Sequence, residues 1–593
     1  MPKKTPLSSI VLLRKPLASV RSCKQLANRL VTPVALLLAA SLAGCGSDMA
    51  DLDARTDALV RERSALLGPS ASPPRIPSGA VTTSNTGASI DKVPPTVNPD
   101  VNDLRYLPAD EARNVGQRLD AYQNQVGDPV VINLRESFHQ AHLSAREFLD
   151  AQDQYVLQAI RLLIVRHSFD WRFFANTTVD VTATGNDGAY ESPLRVMQDL
   201  GVTRRFENGG TLEARMVFDA TEQLRNVATD RYTQASSLVL SGTLPLLRGA
   251  GTVASEDLIA AERELVYSAR SFEDARRLLL VSIASDYFDL VQQQSAIKNQ
   301  TRQLESLRQL EERTAALVAA GRIAEFERNI ARSRVLSATS SLANLRETYI
   351  LALDRFKIRL GLNINRPLDL APITLMLPEP EITPDAAAAL ALDYRLDLQI
   401  ARDRVDDARR TVANARNDLL PQANLFGSAT ARTKPASREG GFVYESDDAI
   451  YQGGITFGLP LDREAERLRV RAANIALEKS IRDLDQFRDT IVVQARSRVR
   501  EIDRARFNLT LAEQSVEINT RRVEEQNLKR DEVAAQTIVD SQNDLLQAEN
   551  ARDQAVTDLR NAILNYLIAT GQLRVARDGT FLPLPGMEAK ITQ

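Results

Sequence analysis

Aromatic side chains supply only 5% of the 593 residues, too few for a chain built on large aromatic cores. Cysteine occurs twice, once inside a basic N-terminal stretch, which excludes a disulfide framework and a Cys-ligated zinc site. Beyond residue 44 no apolar run approaches the roughly 18 residues of a membrane-spanning helix. A charge excess of one sign is also missing. The formal net charge is −3. The basic residues before position 45 (Lys3, Lys4, Arg14, Lys15, Arg21, Lys24 and Arg29) meet no acid there, so the rest of the chain is acidic. That balance excludes a nucleic-acid-binding role. Histidine is scarce as well. His139 and His142 share an expected helix face with Glu136, a set too small for a metal site, and His167 stands alone. No catalytic constellation is present, and no cofactor is expected.

What the chain does have begins with an export pattern. A basic segment over 1–29 precedes the apolar stretch Leu30 to Ala43 and then Leu42-Ala43-Gly44-Cys45. A basic start, a short apolar core and small residues at the cut describe a secretory signal. The pattern resembles a bacterial lipoprotein signal, in which the cysteine is acylated. Gly46 in place of Asp leans towards outer-membrane sorting. Residues 68–102 are rich in Pro, Ser, Thr and Gly, so 45–102 reads as an extended tether between lipid and folded body.

The chain then repeats itself. Leu258, Leu265, Phe272 and Leu279 recur at sevens, with Ala261, Ser268, Ala275 and Ser282 at the other seam position. Val470, Leu477, Leu484 and Ile491, with Ala473, Ser480, Phe487 and Gln494, repeat the plan at a constant offset of 212. A seven-residue period marks coiled-coil contacts. Each rod, at 253–318 and 464–530, spans roughly 100 Å by helix rise. Each has a returning partner that ends at a glycine, Gly361 and Gly571. The returning seams are Val335, Leu342, Tyr349 and Phe356 in the first, and Ala548, Ala555, Ala562 and Ala569 in the second.

Between the helical blocks the period becomes two. Trp171, Phe173, Ala175, Thr177, Val179 and Val181 oppose Arg172, Phe174, Asn176, Thr178, Asp180 and Thr182. Leu238, Leu240 and Leu244 form a second run. Leu425 and Phe426 follow Pro421, and Ile455, Phe457 and Leu459 oppose Gly454, Thr456 and Gly458. One apolar and one small or polar face over about ten residues fits a transmembrane barrel strand and equally a half-buried strand. The export signal and the repeat favour the barrel. Residues 194–220 add a hairpin turning at Asn208-Gly209-Gly210, either in the barrel or above it. Trp171 and Phe173-Phe174 fit an interfacial girdle or plain packing.

Several motifs recur in this order: Leu244-Pro245-Leu246-Leu247-Arg248-Gly249, Ala391 to Leu398, Ala415 to Pro421, and Gly458-Leu459-Pro460-Leu461. With them, residues 103–571 resemble the TolC family of outer-membrane efflux proteins. The departures are Leu396 where the family has proline, the absence of a Leu-Pro entry to the first strand, and the 194–220 insertion. The resemblance implies a mainly α fold with a transmembrane β-barrel portion. A homotrimer would share one 12-stranded barrel, four strands per chain, above a long α-barrel in the periplasm. The expected plan is a signal over 1–44, the tether over 45–102, and a first repeat over 103–361 with strands in about 169–247. An equatorial connector over 362–386 follows. The second repeat covers 387–571 with strands in about 421–461, and the tail is 572–593. The resemblance further implies no enzyme. It implies a passive exit duct of a tripartite efflux or type I secretion system, coupled through a periplasmic adaptor (membrane fusion) protein to an inner-membrane transporter. The periplasmic tips and gate would then be Gly321, Arg322 and Glu325 in one turn, and Lys529, Arg530, Asp531, Glu532 and Gln536 in the other. The rival class is a non-conducting coiled-coil lipoprotein of the envelope.

Acylation of Cys45 is directly testable. Mass spectrometry of the mature N-terminus is expected to find lipid on Cys45 as the first residue, and Cys45→Ser is expected to abolish it. An uncleaved or unmodified Cys45 would remove the anchor.

Overall fold

The computed structural model describes residues 49–66, 130–182, 184–186, 189–191, 193–223, 232–371, 383–433, 444, 446–528 and 535–575. Cys45 lies outside them. The chain starts with helix α1 (Met49–Ala65), strand β1 (Val130–Ile132), α2 (Leu134–Ser144) and α3 (Arg146–His167). Strand β2 (Arg172–Val181) follows, then a small hairpin of β3 (Thr184–Asn186) and β4 (Ala189–Glu191). Three long strands come next, β5 (Pro193–Arg205), β6 (Thr211–Gln223) and β7 (Tyr232–Pro245). The rod α4 (Glu256–Ala319) turns back as α5 (Glu325–Leu360). After β8 (Leu368–Leu370) the second repeat runs α6 (Pro384–Tyr394), α7 (Leu396–Asn417), β9 (Gln422–Arg432), β10 (Ile450–Gly458), α8 (Glu464–Leu528) and α9 (Ala535–Ala569).

The two rods are 64 and 65 residues long, about 96 and 98 Å by helix rise. The expected seams are buried where a partner is present. Leu265, Phe272 and Leu279 of α4 lie in the main core, as does Phe356 of α5. Ala548, Ala555, Ala562 and Ala569 are all buried, so the alanine seam brings α9 close to its neighbours. Across that approach α4 and α9 exchange amide hydrogen bonds. Asn299 Nδ2 donates to Asn550 Oδ1 (3.0 Å) and Gln542 Nε2 to Ser306 Oγ (2.9 Å). Polar groups paired inside a contact fix its register, because a slip would leave them unsatisfied.

The repeat also shows in how each returning helix ends. Ala145, between α2 and α3, and Arg395, between α6 and α7, adopt the same bend, φ −65°, ψ 122° and φ −70°, ψ 123°. Leu396 opens α7 at its first helical position. Proline is favoured there but not required, since that N–H has no intrahelical partner anyway. Against each bend sits the terminal glycine of a returning helix, Gly361 (φ 70°) and Gly571 (φ 69°). Each closes its helix with the same pair of bonds: Gly361 N to Ile358 O and Leu362 N to Lys357 O, Gly571 N to Ile568 O and Gln572 N to Leu567 O. Ser144 Oγ donates to Leu360 O (2.7 Å), and the Arg395 guanidinium reaches Ala569 O (3.5 Å) while pairing with Asp397.

Inside the core, beside the seam, a buried ion pair holds the segment that follows α9. Glu273 and Arg276 are buried, with Arg276 Nε 2.9 Å from Glu273 Oε2, and Arg276 Nη1 donates to Val575 O (3.1 Å). Arg277 pairs with the same carboxylate. β1 and β8 pair in parallel, Ile132 opposite Leu370, which ties the connector after α5 to the start of α2.

Two expectations need correction. Residues 45–102 are not tether throughout, because α1 docks on α3. Leu59 and Val60 are buried, Tyr155 Oη donates to Val60 O (3.3 Å), and the solvent side carries Arg55–Asp51 and Arg61–Asp57 pairs one turn apart. The chain also brings six strands to its large sheet, not four. Its order is β10-β9-β7-β6-β5-β2, antiparallel throughout. The 194–220 segment turns at Asn208-Gly209-Gly210 as expected, and pairs on both sides along its full length.

The terminal glycines give a graded prediction. Gly361→Ala and Gly571→Ala combine a left-handed backbone with a collision, at Gly361 on the Ser144 carbonyl and at Gly571 2.8 Å from the Tyr394 carbonyl oxygen. Gly321 (φ 66°) has the same backbone hand and open space around it. Thermal melts are expected to rank the losses Gly361→Ala, then Gly571→Ala, then Gly321→Ala, the last about 1–2 kcal/mol.

Candidate channel wall and helical tips

The six-stranded sheet has two chemically different faces, and the register assigns every residue to one of them. Residues directly opposite share a face. On the first face Phe173 opposes Val202, Ala175 opposes Leu200, and Val179 opposes Val196. The row continues from Val202 to Ala214 to Leu240 to Ala429, and from Leu200 to Met216 to Leu238 to Ala431. Leu244 meets Leu425, which meets Ile455, and Phe457 meets Ala423. The apolar face runs from β2 to β10, interrupted by Thr177, Gln198, Ser236, Gln234 and small glycines, with the charges Arg204 and Glu222 on it only at its two ends. It is open: Phe173 is 81% exposed and Ile455 65%.

The opposite face is polar. It carries Arg172, Asn176 and Asp180 on β2, and Ser241, Thr243, Ser428, Thr456 and Gln452 on the later strands. Its charges concentrate on β5 and β6. Arg195 Nε donates to Asp219 Oδ2 (2.9 Å), and Arg215 lies 4.0 Å from Asp199 and 3.7 Å from Glu213. Two large rings also sit here, each over a glycine of the neighbouring strand. Phe174 covers Gly201, where a Cβ would strike the ring. Phe426 covers Gly454, where a Cβ would come within 2.9 Å of it.

At the end where the helices leave, the apolar face is bounded by a ring cluster. Arg204 lies over Trp171 (5.2 Å) and over Phe206 (5.0 Å), and Arg205 over Phe169 (5.1 Å). Cation–π stacking keeps the charge beside apolar surface while its edge stays polar. Trp171 and Phe173 are exposed, so they are not core packing.

At the other end of the rods the first tip is a tight turn. Gly321 N and Arg322 N donate to Val318 O and Leu317 O (both 2.9 Å), and α5 starts again at Glu325. Gly321, Arg322 and Glu325 are exposed together there, with Arg328 3.9 Å from Glu325. Gln536 opens α9 and donates to Asp540 (2.9 Å). Lys529, Arg530, Asp531 and Glu532 lie outside the described residues. Further along the rods Arg522 pairs with Asp544 (3.0 Å), linking α8 to α9.

The histidines take other roles. Glu136 closes a capping box with Asn133, and His142 Nδ1 meets Phe138 O (2.8 Å) while burial lowers the pKa of its ring. Among the described residues no group of three or more His, Cys, Asp or Glu is placed to hold a metal, and no helix is long and apolar enough to cross a membrane. The sequence did not single out the buried Glu273–Arg276 pair or the ion pairs of β5 and β6. Charges at those positions look the same as solvated ones until their partners are known.

Known proteins match this architecture. Residues 387–564 match the family model described as "Outer membrane efflux protein". The alkaline protease secretion protein AprF of Pseudomonas aeruginosa is 31% identical over 211 residues, 35% of this chain and 42% of that protein. The match therefore spans less than half of that relative's length. The Campylobacter jejuni CmeC outer membrane channel superposes with a TM-score of 0.57 at 15% identity, over 74% of this chain and 85% of that one. The outer-membrane channel OprN does so at 0.56 and 16%, over 77% and 92%. At these identities the likeness is one of fold. Residues 387–564 thus match the outer membrane efflux protein family, and the fold built around them is that of the TolC-like channels.

Proposed function

We propose that the protein is an outer-membrane exit duct of a tripartite efflux or type I secretion system. In this reading it is a passive homotrimer that joins an inner-membrane transporter through a periplasmic adaptor. The observation that carries this reading is the two-faced sheet with both edges open. Among the described residues β2 and β10 each have one paired side. Unpaired backbone groups are not tolerated in hydrocarbon, so a sheet with a lipid-facing side has to close on itself. The two edge strands run in opposite directions, so β10 of one copy can pair with β2 of the next in the antiparallel sense used elsewhere in the sheet.

The helices support the same assembly. On α3, Leu157, Ile160 and Ile164 are exposed at three- and four-residue spacing. On α8, Leu468 and Ile475, then Leu511 and Ile518, are exposed at sevens, while the seam residues Val470, Leu477 and Leu484 are only half-buried. Such stripes are the faces that neighbouring rods cover in a helical barrel. Acylated Cys45 would add an outer-membrane anchor ahead of α1, with the helical part in the periplasm. AprF is an alkaline protease secretion protein, which favours a polypeptide cargo.

In this reading the tips hold the gate. Gly321, Arg322 and Glu325 on one turn, and Lys529, Arg530, Asp531, Glu532 and Gln536 on the other, constrict the periplasmic end and dock the adaptor. Like charges of Asp531 and Glu532 from three copies meet at a narrow mouth and need cations such as Arg322, Lys529 or Arg530 to hold it closed. An exposed ion pair is worth about 0–1 kcal/mol, so single losses shift the gate only partly.

In planar bilayers the purified protein is expected to conduct. The double variant Asp531→Asn/Glu532→Gln should conduct more, with weaker salt dependence. A bulky residue at Gly321 should weaken adaptor binding while the trimer persists. A parent protein that inserts and never conducts would instead identify a coiled-coil scaffold. Unchanged conductance in the double variant together with normal docking at Gly321 would move the gate elsewhere.

A further inference from the structure

The β5–β6 hairpin separates β2 from β7, which would otherwise be neighbours. If it stood outside the wall, its strands would break the two-sided alternation or hang free at one end. They do neither. Arg205 pairs with Thr211 at the helical end of the hairpin and Leu194 with Glu222 at the other, so it runs the full height of β2 and β7. Its alternation is in phase with both neighbours: Leu200 and Met216 lie in the apolar row that joins Ala175 to Leu238, and Asp199 and Arg215 face the polar side.

The turn of the hairpin is also built into the collar where strands become helices. Arg205 Nη2 donates to Ala254 O (2.7 Å), and Gly251 N donates to Asn208 O (3.4 Å). A Cβ on Gly209 would come within 2.7 Å of Gly249 O and 2.8 Å of the Pro245 ring. Phe174 lies over Gly201, which locks β5 to β2 ring-on-backbone, as Phe426 over Gly454 locks β9 to β10.

We propose that β5 and β6 are two further lipid-facing staves of the wall, so that three copies close an eighteen-stranded barrel whose hairpin ion pairs line the lumen. This rests on the exit-duct reading above. With strands about 4.8 Å apart and tilted about 40°, eighteen strands close at a backbone diameter of roughly 36 Å, against roughly 24 Å for twelve. A lumen of that width is too wide to sort small solutes, so selection falls to the helical tips. The lining from the hairpin is polar and charge-balanced: Arg195, Arg205 and Arg215 against Asp199, Glu213 and Asp219.

The test uses the full chain with one added cysteine at a time. Leu200→Cys and Met216→Cys probe the outer side of the hairpin, and Asp199→Cys and Arg215→Cys its inner side. Leu240→Cys and Ile455→Cys are references on the outer side of β7 and β10. Each variant is labelled in detergent with an uncharged maleimide fluorophore and reconstituted into phosphatidylcholine vesicles that contain nitroxide-labelled lipid. Labels at 200 and 216 are expected to be quenched by the lipid nitroxide within about twofold of those at 240 and 455. Labels at 199 and 215 should be quenched by aqueous iodide instead. The mass of the detergent-solubilised oligomer should correspond to three copies. If the references are lipid-quenched while 200 and 216 respond only to iodide, the hairpin is not wall, and the exit duct stands without it. If no position is lipid-quenched, the barrel reading falls and this inference with it. A copy number other than three overturns the count of eighteen.

Discussion

The edge groups of β2 and β10 are the constraint on which the assembly turns. Each presents a row of N–H and C=O groups with no strand partner among the described residues. In water such edges invite aggregation, and in lipid each bare group costs several kcal/mol. In the proposed trimer, closure by other copies would satisfy all of them at once. It also explains why so much apolar surface on α3 and α8 remains uncovered in one chain, since the arrangement that closes the sheet places neighbouring rods side by side. Sheet and rods thus need the same assembly for different physical reasons, hydrogen bonding in one and apolar burial in the other.

Within a chain, the junctions between short and long helices locate the core. The bends at Ala145 and Arg395 receive the ends of α5 and α9, and both ends are shaped by glycine. The clamps differ in chemistry. The first uses the Ser144 hydroxyl, the second the Arg395 guanidinium. Charges also bind α4 to α7, where Arg270 meets Asp403 (2.5 Å) and Tyr267 donates to Asp407 (2.5 Å). Burial, with that carboxylate, raises the Tyr267 pKa to about 12, so the phenol stays a donor throughout the physiological range. The buried Glu273–Arg276 pair adds a grip on Val575. Removing one partner of such a pair leaves a bare buried charge and costs about 3–5 kcal/mol.

Much of this was legible in the sequence because it is local. The sevens of Leu265, Phe272 and Leu279, the alanine seam of α9, the glycine stops and the alternation around Phe173, Leu240 and Ile455 all report nearest-neighbour geometry. The turn at Asn208-Gly209-Gly210 was legible for the same reason. Its place in the sheet was not, because an alternating strand states which face is apolar and leaves open which strand lies beside it. The family resemblance supplied four strands, and pairing with β2 and β7 made six. α1 escaped notice because its apolar anchor is short, chiefly Leu59 and Val60, in a charged segment next to a proline-rich one.

The hairpin has a further consequence, one of parity. A strand added singly would reverse the direction of everything after it, and α4 would then leave on the wrong side of the membrane. A hairpin adds one upward and one downward stave, so β7 still arrives where α4 begins. Wall width can therefore grow only in steps of two strands per copy, while the number of rods stays fixed. The rods retain an approximate twofold relation between repeats, but the wall, with four strands from one repeat and two from the other, does not. In the proposed trimer the ring of helices could approach sixfold symmetry, and the wall above it could be only threefold.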